Sequence, residues 1–165
     1  MSAAEEKKQV DNVAVLPIAG ARGRVEAQGI HGIFYKIRQG GAVLKKGRGG
    51  WPIAMKNGKE AKLRPAGWLP GFQSLYLDGE RVYQFGADVP LAAKILSFFP
   101  LLAIRWHPFV GMLLGIIFVF YSIVSIKNPL FPTKTRIALP IMNTIAAILL
   151  TIVIVGGTST GQTQG

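Results

Sequence analysis

Two uncharged apolar runs in the second half limit what this chain can become more than any other feature. Residues 109–126, FVGMLLGIIFVFYSIVSI, hold 18 positions without a charge, and residues 137–155, IALPIMNTIAAILLTIVIV, hold 19. As helices they would be about 27–29 Å long at about 1.5 Å per residue, close to the roughly 30 Å hydrocarbon core of a bilayer. A buried helix of a soluble domain explains one such run. A chain of 165 residues has no soluble core large enough to bury two. Both runs are therefore expected to cross a membrane.

A third stretch, residues 89–104, is harder to place. It has 16 residues, VPLAAKILSFFPLLAI, and contains Lys94 and Pro100. A mid-membrane lysine costs about 2.5–3.5 kcal/mol on insertion scales. Lys94 is near the start, so its ammonium can reach the near interface. The stretch could cross, form one arm of a shallow hairpin, or lie flat. The positive-inside rule chooses between these. If the stretch crosses, Arg81, Lys127, Lys134 and Arg136 flank the inside and Arg105 alone is outside. If it does not, the three cations of the 127–136 loop face outward against Lys94 and Arg105 inside. Three crossings, with the N-terminal domain cytoplasmic and the C-terminal tail outside, is the consistent expectation for a multi-pass protein of the plasma or inner membrane. The break at Arg105-Trp106-His107-Pro108 becomes an outer turn. Trp106 is then an interfacial anchor and Pro108 the opening residue of the next helix.

Charge marks the other boundary. All eight acidic residues and fourteen of the nineteen basic ones lie in the first 88 positions, a net +6, and no acid follows Asp88. The expected organisation is a disordered lead over residues 1–12, a basic soluble β-domain over 13–88, a membrane domain over 89–155 and a polar tail over 156–165. The lead, MSAAEEKKQVDN, lacks the apolar core of a secretory signal.

Within residues 13–88 short runs alternate with glycine. HGIFYKIR (31–38) places Ile33, Tyr35 and Ile37 on one face, the period of a half-buried strand, and a hairpin at Gln39–Gly41 follows. Asn57-Gly58 and Asp78-Gly79 each sit between strand-like runs, and both dipeptides favour the type I′ turn. About six short antiparallel strands are expected, in a small barrel or sandwich. The fold class is thus α+β: an antiparallel β-domain, then a transmembrane helical hairpin and a last transmembrane helix.

Several motifs bear on function. Gly111 and Gly115 form GxxxG, which lets a second helix approach, and in a tight hairpin that partner would be the preceding segment. Asn143 lies within the last apolar run and wants a hydrogen-bond partner on another helix. Lys45, Lys46 and Arg48 belong to a glycine-rich basic loop that suits a solvated turn or anionic lipid headgroups. That loop lacks the residue order of a phosphate-binding P-loop and the repetition of nucleic-acid-binding segments, so nucleic acid is not expected. Trp68, Leu69 and Phe72 lie in a Pro/Gly-bounded loop that either caps the β-core or docks on membrane or partner. Arg105 and Trp106 are the corresponding contacts at the outer turn.

Chemistry is constrained by what is missing from the sequence. There is no cysteine, and the two histidines, His31 and His107, are far apart. Thiol chemistry and cysteine metal sites are excluded. Asp78 and Glu80 suit turn chemistry, and no nucleophile, base and orienting group fall together. Neither catalysis, a cofactor nor a metal is expected. The expected role is a non-catalytic accessory or assembly subunit of a larger membrane complex, in contact with lipid and protein subunits. The alternatives are a stand-alone binder of anionic lipid headgroups and a small transporter or channel component with Lys94 and Asn143 as its polar landmarks.

Overall fold

The computed structural model describes residues 12–160, and side chains for 12–157. The expected disordered lead therefore lies outside the described residues except for Asn12, as does the tail beyond residue 160. The chain divides into two compact units, Met1–Ala87 and Asp88–Gly165.

The first unit holds eight strands: β1 (Val13–Leu16), β2 (Val25–Gln28), β3 (Lys36–Gln39), β4 (Ala42–Val43), β5 (Trp51–Ala54), β6 (Glu60–Ala66), β7 (Ser74–Leu77) and β8 (Glu80–Gln84). They form two antiparallel meanders, β1-β2-β3-β4 and β5-β6-β7-β8. Alternation sets the inner faces. In β6, Ala61 and Leu63 are buried while Lys62 and Arg64 are exposed. Val25 and Ala27 of β2, Ile37 of β3, and Trp51 and Ile53 of β5 join Leu63, Leu75 and Phe85 in one core. Each such large side chain contributes about 1.5–3 kcal/mol when fully buried.

The barrel among the expected folds is not what forms: both sheets are open. Closure would need β4 to pair with β5 and β8 with β1, and neither ladder is present among the described residues. β4 is only two residues long, and β5 carries Pro52, which has no N–H for a second neighbour and belongs on an edge. The sheets are instead stitched at one corner. Ala21 bridges Met55, and the Gln39 side chain bonds both the N–H and the carbonyl of Ala54, at 2.9 and 2.7 Å.

Two turns expected to be alike differ. Asp78 and Gly79 both have positive φ, 50° and 92°, as a two-residue type I′ turn requires. At Asn57-Gly58 only Gly58 has positive φ, and the turn widens so that Met55 N–H meets the Lys59 carbonyl. The Asn57 side chain accepts from the Lys59 N–H at 3.0 Å, which stabilises this wider loop.

The second unit contains α1 (Leu91–Leu96), a 3-10 helix over Phe99–Arg105, α2 (Pro108–Lys127) and α3 (Thr133–Thr160). Pro108 opens α2, and His107 caps it by accepting the Val110 N–H on Nδ1 at 3.2 Å. Asn128 turns the chain after α2 by accepting the Leu130 N–H. α3 continues past Val155, the expected boundary, to Thr160.

Two helices, α2 and α3, have the length and apolarity to cross a membrane. Residues 89–104, left open by the sequence, form a short helix followed by a 3-10 turn rather than one continuous helix. Pro100 lies at the start of the 3-10 turn and cannot supply the N–H that would continue α1. The broken segment nevertheless runs antiparallel along α2. At one end Asp88 pairs with Arg136 near the start of α3. Further along, Pro100 and Leu101 pack at Gly115, and Ala103 packs at Gly111, one turn closer to the start of α2.

Candidate functional site

The first unit presents an open groove of about 340 Å³. Its floor comes from the core: Trp51 is 6% exposed and Tyr35 packs beside it with ring centroids 5.6 Å apart. Tyr35 also packs on Phe85 at 4.2 Å, so the ring is held on two sides. Its hydroxyl donates to Gln73 Oε1 at 3.3 Å, and burial pushes its pKa up to about 12. Lys46 places its ammonium 5.1 Å from the centre of the Trp51 ring, a cation–π contact that holds positive charge at the rim.

Two loops wall this groove. One contributes Phe34, which is 78% exposed. The other contributes Pro70 and Gly71 and carries Trp68, which is 84% exposed. Exposed aromatics of this size at a concave surface are unusual for a solvated face. A second hollow of about 360 Å³ shares Phe34 and Tyr35 and reaches Lys36.

The residues singled out from sequence separate into different places. Of the basic loop, Lys46 lines the groove, while Lys45 and Arg48 are exposed outside its lining. Of the aromatic loop, Trp68 is exposed, Leu69 is half-buried and Phe72 is buried. One loop thus both caps the core through Phe72 and projects an apolar side chain outward through Trp68. Arg105 and Trp106 are exposed at the junction of the 3-10 helix with α2.

Gly111 and Gly115 face the chain's own preceding segment. A Cβ at Gly111 would fall on the Ala103 carbonyl, and one at Gly115 would lie 3.0 Å from the Pro100 carbonyl. Asn143 of α3 donates to Ser122 Oγ of α2 at 2.9 Å.

Four contacts were not singled out from sequence. Phe34 sat in a run read as strand, and residues 31–35 are loop. Gln73 and Lys36 have no motif around them. The Asp88–Arg136 pair, at 2.7 Å, joins residues 48 apart. Its one available signal was that Asp88 is the last acid of the chain, facing a second half that is entirely cationic.

Among the described residues no group of three or more His, Asp or Glu could hold a metal ion. The arrangement offers a donor-rich aromatic groove on one unit and a lipid-compatible helical surface on the other. No family model matches this chain, and neither a curated protein nor a solved structure resembles it significantly.

Proposed function

We propose that the protein is a non-catalytic integral membrane subunit that assembles with other chains, its β-unit cytoplasmic and its second unit embedded. One observation carries this reading: the β-unit exposes Trp68 and Phe34 beside a groove, while α2 and α3 are only 33% and 17% buried over their membrane-length windows. Helices of a soluble core would be mostly buried; these leave their apolar surface for lipid.

The antiparallel run of Pro100–Ala103 along α2 supports the three-pass topology. Asp88 and Arg136 meet at the end where the chain leaves the β-unit, and that end also holds Lys127 and Lys134. The other end holds Arg105 as its lone cation before α2, beside Trp106. That asymmetry fits a cytoplasmic first end.

Gentle detergent extraction followed by sizing and mass spectrometry tests assembly. Partner chains in stoichiometric yield are expected, and a lone monodisperse monomer or homodimer rejects the reading. Topology is tested by cysteine labelling, which has no background because the chain has no cysteine. Trp106→Cys and Gly165→Cys should react with an impermeant maleimide from outside, and Arg48→Cys only after permeabilisation. A Gly165→Cys label that also needs permeabilisation rejects three passes.

A second reading, binding of anionic lipid headgroups, draws on charge alone. Residues 12–87 carry twelve cations against four acids, net +8. Binding of residues 1–88 to phosphatidylserine vesicles should then fall steeply with salt. No binding at low salt ends this reading.

A further inference from the structure

We infer that the charge cluster of Lys127, Arg136 and Asp88, at the end of α2 and the start of α3, binds the phosphate of an anionic phospholipid. The inference deepens the proposed function by naming one component of the second unit's surroundings. It rests on that unit being embedded, not on the assembly of other chains.

The charges of the cluster do not balance. Arg136 and Lys127 are only 9% and 4% exposed. Arg136 donates through Nη1 to Asp88 Oδ2 at 2.7 Å, and the same carboxylate attracts Lys127. Two covered cations thus share one acid. The Asp88 side chain is itself 61% exposed, so water screens part of its charge. The unit has no other acid to recruit, because none follows Asp88 in the sequence. The helix ends do not make up the difference. Lys127 is the last residue of α2, whose carbonyl end carries about half a negative charge. Arg136 lies in the first turn of α3, whose N–H end carries about half a positive one. The two halves cancel and a surplus positive charge remains. Covered cations are costly without a counter-charge. At the rim of a bilayer the available anion is a headgroup phosphate, and basic sites between transmembrane helices on the cytoplasmic side take such headgroups.

The groups around the surplus charge suit a phospholipid. Arg136 also donates through Nε to the Phe131 carbonyl at 2.9 Å, which fixes the plane of the guanidinium. Nη2 has no partner among the described residues and is left to donate to a phosphate oxygen, the acceptor that guanidinium geometry matches well. Apolar side chains stand nearby in the chain. Leu130, next to Phe131, is 60% exposed, and Leu91, the first residue of α1 after Asp88, is 66% exposed. Acyl chains would cover these, which a free phosphate would not.

The test titrates the full chain, in an uncharged detergent, with phosphatidylglycerol or phosphatidylcholine and counts bound lipid by native mass spectrometry. Phosphatidylcholine carries the same phosphate with its own cation attached, which a surplus positive charge disfavours. Phosphatidylglycerol should bind at least about tenfold tighter. Lys127→Gln should weaken it about tenfold, while Lys134→Gln, which removes an exposed cation nearby, should not. Asp88→Asn keeps an oxygen for Arg136 but removes the competing acid, and should tighten binding severalfold. A purely structural role for Asp88 would give the opposite sign. Sizing and circular dichroism check that the variants fold, and if Lys127→Gln does not, the lipid comparison and Asp88→Asn decide.

Equal affinity for the two lipids, equal losses in Lys127→Gln and Lys134→Gln, or weaker binding in a folded Asp88→Asn overturns the proposal. Inorganic phosphate that binds as tightly as phosphatidylglycerol also overturns it and reassigns the cluster to a soluble phosphate compound. The embedded reading fails separately, by release of the chain from membranes in alkaline carbonate. A chain that resists carbonate but shows no lipid preference removes only the phosphate inference. Copurifying partner chains, or their absence, bear on the subunit reading alone.

Discussion

The two units place polar and apolar groups in opposite ways. In the β-unit the buried cluster is apolar, and among the described residues only four large hydrophobic side chains, Val15, Phe34, Val43 and Trp68, are exposed. In the helical unit the exposed large hydrophobics run to 24, from Leu91 to Ile154. Among the described residues, the buried polar or charged ones, Ser97, Ser122, Lys127, Arg136 and Thr151, all belong to that second unit. Water explains the first arrangement, since burying apolar surface is what drives its folding. It does not account for the second, whose two long helices are apolar enough to cross a membrane; in the proposed membrane setting, packing and internal hydrogen bonds would hold such helices together.

One pair of equal deletions would break the comparison outright. Leu63→Ala removes a fully buried side chain from the β-core and should cost about 2–5 kcal/mol. Leu149→Ala removes the same atoms from a position 57% exposed on α3, and its unfolding free energy in lipid should move by less than about 0.5 kcal/mol. Denaturant titration of the first and steric-trap unfolding of the second in bicelles read these values. A large loss in Leu149→Ala would mean that α3 packs against protein at that face.

Glycine sharpens the comparison within the helical unit. Gly111→Ala puts a methyl group on the Ala103 carbonyl, a backbone atom that cannot swing aside, and should destabilise by about 1–3 kcal/mol. Gly156→Ala meets open space and should instead gain up to about 1 kcal/mol from helix propensity. The same substitution with opposite signs, measured by unfolding in bicelles, is expected. Equal signs would show that the close approach of Gly111 to Ala103 is not maintained in lipid.

These contrasts show which parts of the fold were legible in the sequence. α2 and α3 were, because an apolar run of membrane length is a local property. The Asp78-Gly79 turn was, because both of its residues adopt the positive φ that the dipeptide favours. Asn57-Gly58 was less so, since its turn is widened by a side-chain bond that the dipeptide alone does not specify. The barrel expectation failed because β4 is only two residues long and β5 carries Pro52, so neither supports the β4–β5 ladder that closure would need. Lys46 was legible as a basic loop residue. The groove it lines was not, because Phe34, Gln73 and Trp51 are brought together by separate loops and strands rather than by spacing.

Polar groups between helices give a smaller effect. Asn143→Leu removes the bond to Ser122 and should cost about 0.6–1.7 kcal/mol in lipid. The double variant with Ser122→Ala should cost no more than the sum of the singles less that coupling. Additive losses would show that the two side chains do not meet in the membrane.

The last expected effect returns to the β-unit and to Tyr35, whose phenol is strongly shifted. Burial raises the Tyr35 phenol from 10.0 to about 12, so the folded state holds its proton longer than the unfolded state. Below pH 10 both states are protonated and the contribution is fully present. Between pH 10 and 12 the unfolded chain loses the proton first, so stability falls as pH rises. Tyr35→Phe cannot titrate, and it also loses the bond to Gln73, worth about 0.5–1.5 kcal/mol. The wild type should therefore exceed Tyr35→Phe in stability by a constant amount up to pH 10, and the gap should close and then reverse toward pH 12. The lysines titrate in both proteins and largely cancel in the difference. A gap that stays constant through this window would place the Tyr35 hydroxyl in water, and with it the wet edge of the groove.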